Sequence, residues 1–327
     1  MENKQDLKLL RPRSMAAVVS DGYRLYMSTF RSLFRSSWPV AIVYAVMFAL
    51  FMGNIVNIVI PMQVTIQRSG QPALPPTFYF SVAAVMLYVL AVPLLAAQAV
   101  SIFREHSAAG DVSRPRNWYG RLCLNSFLRL LVTALWMLLL GVVTGLLFMS
   151  VGTAILSLGV VGSLWKSVAS LVLMAILVLV VTALCVPLLY TVMRALLSAG
   201  KVRLGPPVAG YGTGMRHWGL LFATVLVVCI FTGLLTLVCE LPAVIMGGAN
   251  ILAYVGLANG DPLGMPENIV PLTYCVFVMA GFIQAYVHLS MLYPLYYAYG
   301  SVEQQEAERK SFTPGLHAGE SAVKSSR

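Results

Sequence analysis

The sequence predicts an all-α, polytopic membrane protein: six transmembrane helices in three parallel repeats, each preceded by an amphipathic interfacial helix. Three observations predict it. Continuous apolar runs longer than the roughly 20 residues that cross a bilayer core recur along the chain. Nearly all basic residues gather on alternate connections between those runs. One aromatic-basic stretch returns at a nearly constant spacing.

The chain is 59% hydrophobic with a mean hydropathy of +0.81, and only 10% of its residues are charged, where a soluble domain carries about 25%. Unbroken apolar runs, rather than alternating ones, select helices over a barrel. The net charge of +10 does not point to nucleic acid, because the basic residues flank the apolar runs, where they orient helices and meet anionic headgroups.

Residues 1–14 are polar and read as a cytoplasmic tail without the pattern of a cleavable signal. The first repeat covers 15–110. It opens with an amphipathic segment at 15–37, in which Val19, Tyr23, Tyr26, Phe30, Leu33 and Phe34 share one face and Arg24, Arg31 and Arg35 share another. Such a helix is expected to lie in the headgroup plane, with those three arginines on anionic lipid, and to turn into the first span at Trp38-Pro39. Spans one and two follow at 39–60 and 78–103, across a proline-containing loop at 61–77.

The second repeat, 111–200, holds spans three and four at 127–150 and 166–195; the third, 201–299, holds spans five and six at 218–246 and 270–298. A longer loop at 247–269 joins the last pair, and 300–327 reads as a disordered cytoplasmic tail. The stretch 130–193 carries only Lys166 and could hold two helices or three. Charge decides. With two, 20 of the 22 Lys and Arg lie on one side and only Arg68 and Lys166 on the other, so both termini are expected in the cytoplasm.

The repeat rests on two landmarks. The aromatic-basic stretch at Tyr23 resumes at Tyr119 and Tyr211, steps of 96 and 92 residues. Val-Pro-Leu-Leu occurs around Pro93 and Pro187, and Tyr-Pro-Leu-Tyr around Pro294. Two crossings per unit make the units parallel, related by an axis along the membrane normal.

The stretch Asp21-Gly22-Tyr23-Arg24-Leu25-Tyr26-Met27-Ser28-Thr29-Phe30-Arg31 resembles the leading helix of a group of bacterial six-span integral membrane proteins. That group includes the membrane domain attached to some glycerophosphodiester phosphodiesterases. The resemblance covers mainly the first repeat and implies a fold and an inner-membrane location. No segment matches the phosphodiesterase catalytic domain, so the resemblance carries no catalytic residues.

Chemistry-bearing motifs are scarce. There is no HExxH, GxSxG or P-loop, and no cofactor or metal is expected. The five cysteines form no CxxC and read as small buried residues. Gly210-Tyr-Gly-Thr-Gly214 reads as a flexible lead into the third interfacial helix, and Gly141 with Gly145 as a helix-packing face. The span prolines are expected to kink their helices. Intramembrane polar residues are Asn54, Asn57, Gln98, Glu240, Gln284 and His288. Of these Asn54, Asn57, Glu240, Gln284 and His288 form the candidate intramembrane site, because buried polar and ionisable groups are costly in lipid.

Three functions compete at this level. The leading expectation is a non-enzymatic scaffold that organises lipid or a membrane-protein partner through its basic surface. The alternative is a transporter or lipid-handling protein that uses the polar intramembrane site. The third is an intramembrane enzyme with Glu105 and His106 as acid and base. A polar cavity between helices favours the second; a bundle packed through its middle favours the first.

Overall fold

Apolar runs of this length can satisfy their backbone groups in lipid only as helices, and the computed structural model is built accordingly. It describes residues 9–56, 78–109, 121–157, 164–198, 204–260 and 268–325. The helices are α1 (Met15–Asn54), α2 (Phe78–Ala109), α3 (Arg121–Ser157), α4 (Leu164–Leu197), the short α5 (Tyr211–Arg216), α6 (Trp218–Ala258) and α7 (Ile269–Ser325). Six of them are long and apolar enough to cross a membrane. The chain is therefore an all-α, multi-pass membrane protein. The ambiguous stretch 130–193 holds two helices, α3 and α4, as the charge distribution requires.

The first span is not a separate element. α1 runs unbroken for 40 residues through Pro39, about 60 Å, so the turn expected at Trp38-Pro39 is not made. The reason is a better partner for the aromatic face than the headgroup plane. Tyr26 packs edge-on against Tyr293 at 5.1 Å, and Phe30 and Phe34 meet Tyr286 at 5.8 and 5.3 Å, all from α7. The Tyr26 hydroxyl donates to the Tyr286 carbonyl at 3.0 Å. Arg24, Arg31 and Arg35 remain exposed on the other face. Ahead of α6 the expected leading helix is distinct: α5 ends at His217 before α6 begins. The expected start of the second repeat, at Tyr119, lies outside the described residues.

Each helix packs on its chain neighbours, and α7 closes the ring onto α1. Two close approaches set that geometry. Gly22 of α1 faces Pro294 of α7 so closely that a Cβ would stand 2.6 Å from the proline Cα and N. Gly214 of α5 faces Pro187 of α4, where a Cβ would stand 2.8 Å from the proline carbonyl oxygen. Gly210, with φ of 91°, caps α5 from the left-handed region that other residues avoid.

The core lies toward the basic end of the bundle, where Phe103 stacks on Tyr296 at 4.5 Å and meets Tyr293 edge-on at 4.8 Å. The segment expected as a disordered tail is helical as far as it is described: α7 continues past Gly300 to Ser325. Two things order it. Leu9 seats against Gly300, and the Arg13 backbone N–H donates to Ser301 Oγ at 3.0 Å. Beyond them, buried Glu306 gathers Arg309 at 3.0 Å, His217 at 3.3 Å and Arg216 at 3.7 Å. α7 is 57 residues long, about 85 Å, against a hydrocarbon core of about 30 Å; this extension therefore stands outside the membrane.

At the other end, α3 and α4 stand clear of the bundle. Only 6% and 11% of their apolar windows are buried, against 50% for α2. Among the described residues nothing lies within 4 Å of a Cβ at Gly141 or Gly145, so they form no packing face there.

Candidate intramembrane site

α6 and α7 run antiparallel, and three contacts fix their register. Asn250 Nδ2 donates to Thr273 Oγ1 at 2.6 Å; a Cβ at Gly247 would stand 3.5 Å from the Phe277 ring; Glu240 faces Gln284. Each step along α6 is matched by an equal step along α7. One turn further toward the basic end the same register sets Thr236 opposite His288. The two helices part there. They leave a groove of about 520 Å³, within the roughly 300–1,000 Å³ of small-molecule sites.

Thr232, Thr236 and Glu240 line this groove from α6, and His288 and Met291 line it from α7. The three α6 residues are four apart, so they form one row along the helix. Leu237, Leu241 and Val244 supply apolar walls. A helical threonine ordinarily turns its hydroxyl back to the carbonyl four residues earlier, as Thr224 does to Leu220 at 2.8 Å. Thr232 and Thr236 do not. Their Oγ1 atoms, with Glu240 Oε1, are buried and have no hydrogen-bond partner among the described residues. An unpaired buried polar group costs about 1–3 kcal/mol, so three in one row mark a place built to meet polar atoms from elsewhere. Tyr23 of α1 points its hydroxyl toward Thr232 without reaching hydrogen-bond geometry, and its ring packs on Phe231 at 5.0 Å.

Behind the groove a polar chain crosses the bundle. The Tyr88 and Tyr44 hydroxyls lie 3.1 Å apart, and Tyr44 donates to Gln284 Oε1 at 3.3 Å. With its oxygen engaged there, Gln284 turns its NH₂ donors toward Glu240. Gln284 is buried, whereas His288 is exposed along the groove's open side, which faces lipid once α6 and α7 lie in a bilayer.

Of the candidate residues, Glu240, Gln284 and His288 therefore come together. Asn54 does not. It is buried at the far end of α1, ten residues and about 15 Å beyond Tyr44, because an α-helix cannot bring both residues to one level. Asn57 lies outside the described residues. Gln98 is buried on α2. Thr232, Thr236, Tyr44 and Tyr88 were not among the sequence candidates. The four-residue spacing of Thr232, Thr236 and Glu240 within an apolar run was the available signal.

The Glu105–His106 pair has a different setting. His106 is buried in the aromatic core with Nδ1 2.9 Å from the Tyr296 hydroxyl, and consecutive residues diverge by about 100° on a helix. Cys185, Cys229, Cys239 and Cys275 are free thiols, and Cys229 and Cys275 are exposed rather than buried. Among the described residues no three His, Cys, Asp or Glu side chains are grouped to hold a metal. No protein-family model, curated protein or solved structure matches the chain.

Proposed function

We propose that this protein is a lipid-handling membrane protein, which admits an amphiphile sideways from the bilayer into the groove between α6 and α7. The observation that carries the reading is the row of unpaired oxygens on Thr232, Thr236 and Glu240, opposite His288, in a groove with otherwise apolar walls. A ligand with hydroxyl or amine donors satisfies the row while its chain lies along Leu237, Leu241 and Val244. The reading is one of binding, not catalysis. Its frame is a cell inner membrane with both termini cytoplasmic, which the distribution of basic residues supports. The glycine–proline approaches at Gly22–Pro294 and Gly214–Pro187 support the threefold repeat, although Gly214 sits one turn later than Gly22 relative to the tyrosine landmark.

The test uses purified full-length protein and three tail-labelled probes: diacylglycerol, phosphatidylethanolamine and phosphatidylglycerol. At least one binds the wild type. Glu240→Gln and Thr236→Val weaken that binding about tenfold each, and Met291→Trp, which fills the groove, abolishes it. Equal binding by all four proteins refutes the assignment.

A second reading has its own support. The exposed Arg24, Arg31 and Arg35 suit anionic headgroups or an acidic membrane-protein partner, and a scaffold acting through that surface needs no groove. Met291→Trp separates the two, since it leaves a surface scaffold untouched.

A further inference from the structure

Two rows of α6 side chains line the groove. Thr232, Thr236, Glu240 and Val244, each four residues apart, form one row; Cys229, Gly233, Leu237 and Leu241 form the other. Both rows change character in the same direction. Toward the basic end of the bundle they are polar or small, and toward the opposite end they are apolar and bulky. The helix rises about 22 Å from Cys229 to Val244, enough for a headgroup followed by the first part of an acyl chain. A lipid in the leaflet at the basic end has the same polarity, with its headgroup toward the aqueous face and its chains toward the midplane.

Gly233 makes room for the headgroup. It is exposed, and among the described residues a Cβ built on it would meet nothing within 4 Å. The second row therefore lacks a side chain where the first carries Thr232 and Thr236. Thr232 is only 6% exposed, yet its Oγ1 has no hydrogen-bond partner among the described residues. His288 and Met291 of α7 complete this half of the groove.

The spacing of the row selects the headgroup. Side chains four apart on a helix stand about 5–6 Å from one another, so a single hydroxyl bridges at most two of the unpaired oxygens on Thr232, Thr236 and Glu240. A sugar ring carries hydroxyls around its edge, each able to donate and to accept, and it reaches all three with the His288 imidazole opposite. A phosphate fits less well. In a phospholipid it lies between the outermost headgroup atoms and the chains, which sets it against Glu240 when the headgroup points to the basic end. The carboxyl there either repels the phosphate or must take up a proton. Among the described residues no Lys or Arg lines the groove to offset that charge. Given that the groove holds a lipid, we infer that its ligand is a neutral glycolipid, a diacylglycerol carrying one sugar. It enters from the leaflet at the basic end, with the sugar between Thr232, Gly233 and His288 and the chains along Leu237, Leu241 and Val244.

The experiment compares tail-labelled monoglucosyl-diacylglycerol with diacylglycerol, phosphatidylethanolamine and phosphatidylglycerol, each added to purified full-length protein in a detergent without a sugar headgroup. The additional hydrogen bonds of the sugar favour the glucosyl lipid about tenfold or more over each of the others. Gly233→Leu fills the headgroup space without a clash and brings the ratio of glucosyl-lipid to diacylglycerol affinity down to about twofold or less. Thr232→Val, similar in shape but without the hydroxyl, lowers the same ratio severalfold. Gly219→Leu, also on α6 and equally free of neighbours within 4 Å but outside the groove, keeps the wild-type ratio. Phosphatidylethanolamine or phosphatidylglycerol binding as tightly as the glucosyl lipid overturns the headgroup assignment while leaving the groove a lipid site. Failure of all four probes to bind the wild type overturns both. An unaltered ratio in Gly233→Leu or Thr232→Val also overturns the assignment, as does release of the glucosyl lipid by millimolar glucose, which would mark a site for free sugar.

Discussion

Replacing Gly22 with alanine probes a close backbone approach between α1 and α7. On the α1 backbone the new Cβ would stand 2.6 Å from both Cα and N of Pro294 and 2.9 Å from its Cγ. Carbon atoms rest at about 3.5–4.0 Å, so the overlap is about 1 Å, and it falls on helix backbone that cannot rotate aside. α1 and α7 must separate. A gap of that size forfeits roughly a quarter to a half of each neighbouring contact, here across the aromatic seam of Tyr26, Phe30, Tyr286 and Tyr293. Overpacking of this kind costs about 1–3 kcal/mol, and the length of this interface argues for the upper end. Against it stands the helix propensity of alanine over glycine, about 0.8–1.0 kcal/mol. The expected net is a loss of about 2 kcal/mol. Gly141→Ala is the matched control: nothing lies within 4 Å of its Cβ, so only the propensity gain remains. Titration with SDS in mixed micelles, followed by tryptophan fluorescence, measures both. Opposite signs are expected. If both variants are stabilised equally, the α1–α7 contact as described here is wrong.

Other outcomes follow from the same structure. Burial pushes the Glu306 carboxyl up, but the Arg309, His217 and Arg216 partners outweigh it and hold the carboxyl below its ordinary value of 4.5. The stabilisation it gives is therefore present above that value and lost as pH falls through the lower folded one. Limited proteolysis should find the α7 extension protected at pH 7 and open well below pH 4.5, and Glu306→Gln open at both; protection of the variant at pH 7 would contradict the clasp. Reporter fusions after Ser107 and Ser198 should read cytoplasmic and a fusion after Asn259 external; an external signal at Ser198 would overturn the topology. Converting Arg24, Arg31 and Arg35 together to Gln removes about 1 kcal/mol of headgroup attraction each. Enrichment of anionic lipid at the exposed face of α1 should fall accordingly, and unchanged enrichment would make that face a bystander.

Helix number and the even count within 130–193 were legible without coordinates, because both are sums along the chain. Hydropathy over about 20 residues decides insertion, and the basic residues between runs decide which assignment is consistent. That Glu240, Gln284 and His288 deserve notice was legible for a similar reason, since a costly polar group in an apolar run marks itself. The remainder depended on which faces meet. Nothing local distinguishes an aromatic stripe bound for the headgroup plane from one bound for a neighbouring helix, and Tyr26, Phe30 and Phe34 took α7 as their partner. Gly141 and Gly145 carry the spacing of a packing motif, yet among the described residues nothing lies within 4 Å of a Cβ at either. The stretch after Gly300 is polar enough to read as a tail and is ordered by Leu9, Arg13, Arg216 and His217, all distant in sequence. Thr232 and Thr236 look like ordinary helical threonines until the antiparallel register of α6 and α7 parts the helices at their level. The pairing of Asn250 with Thr273 sets that register, and no periodicity within either helix contains it.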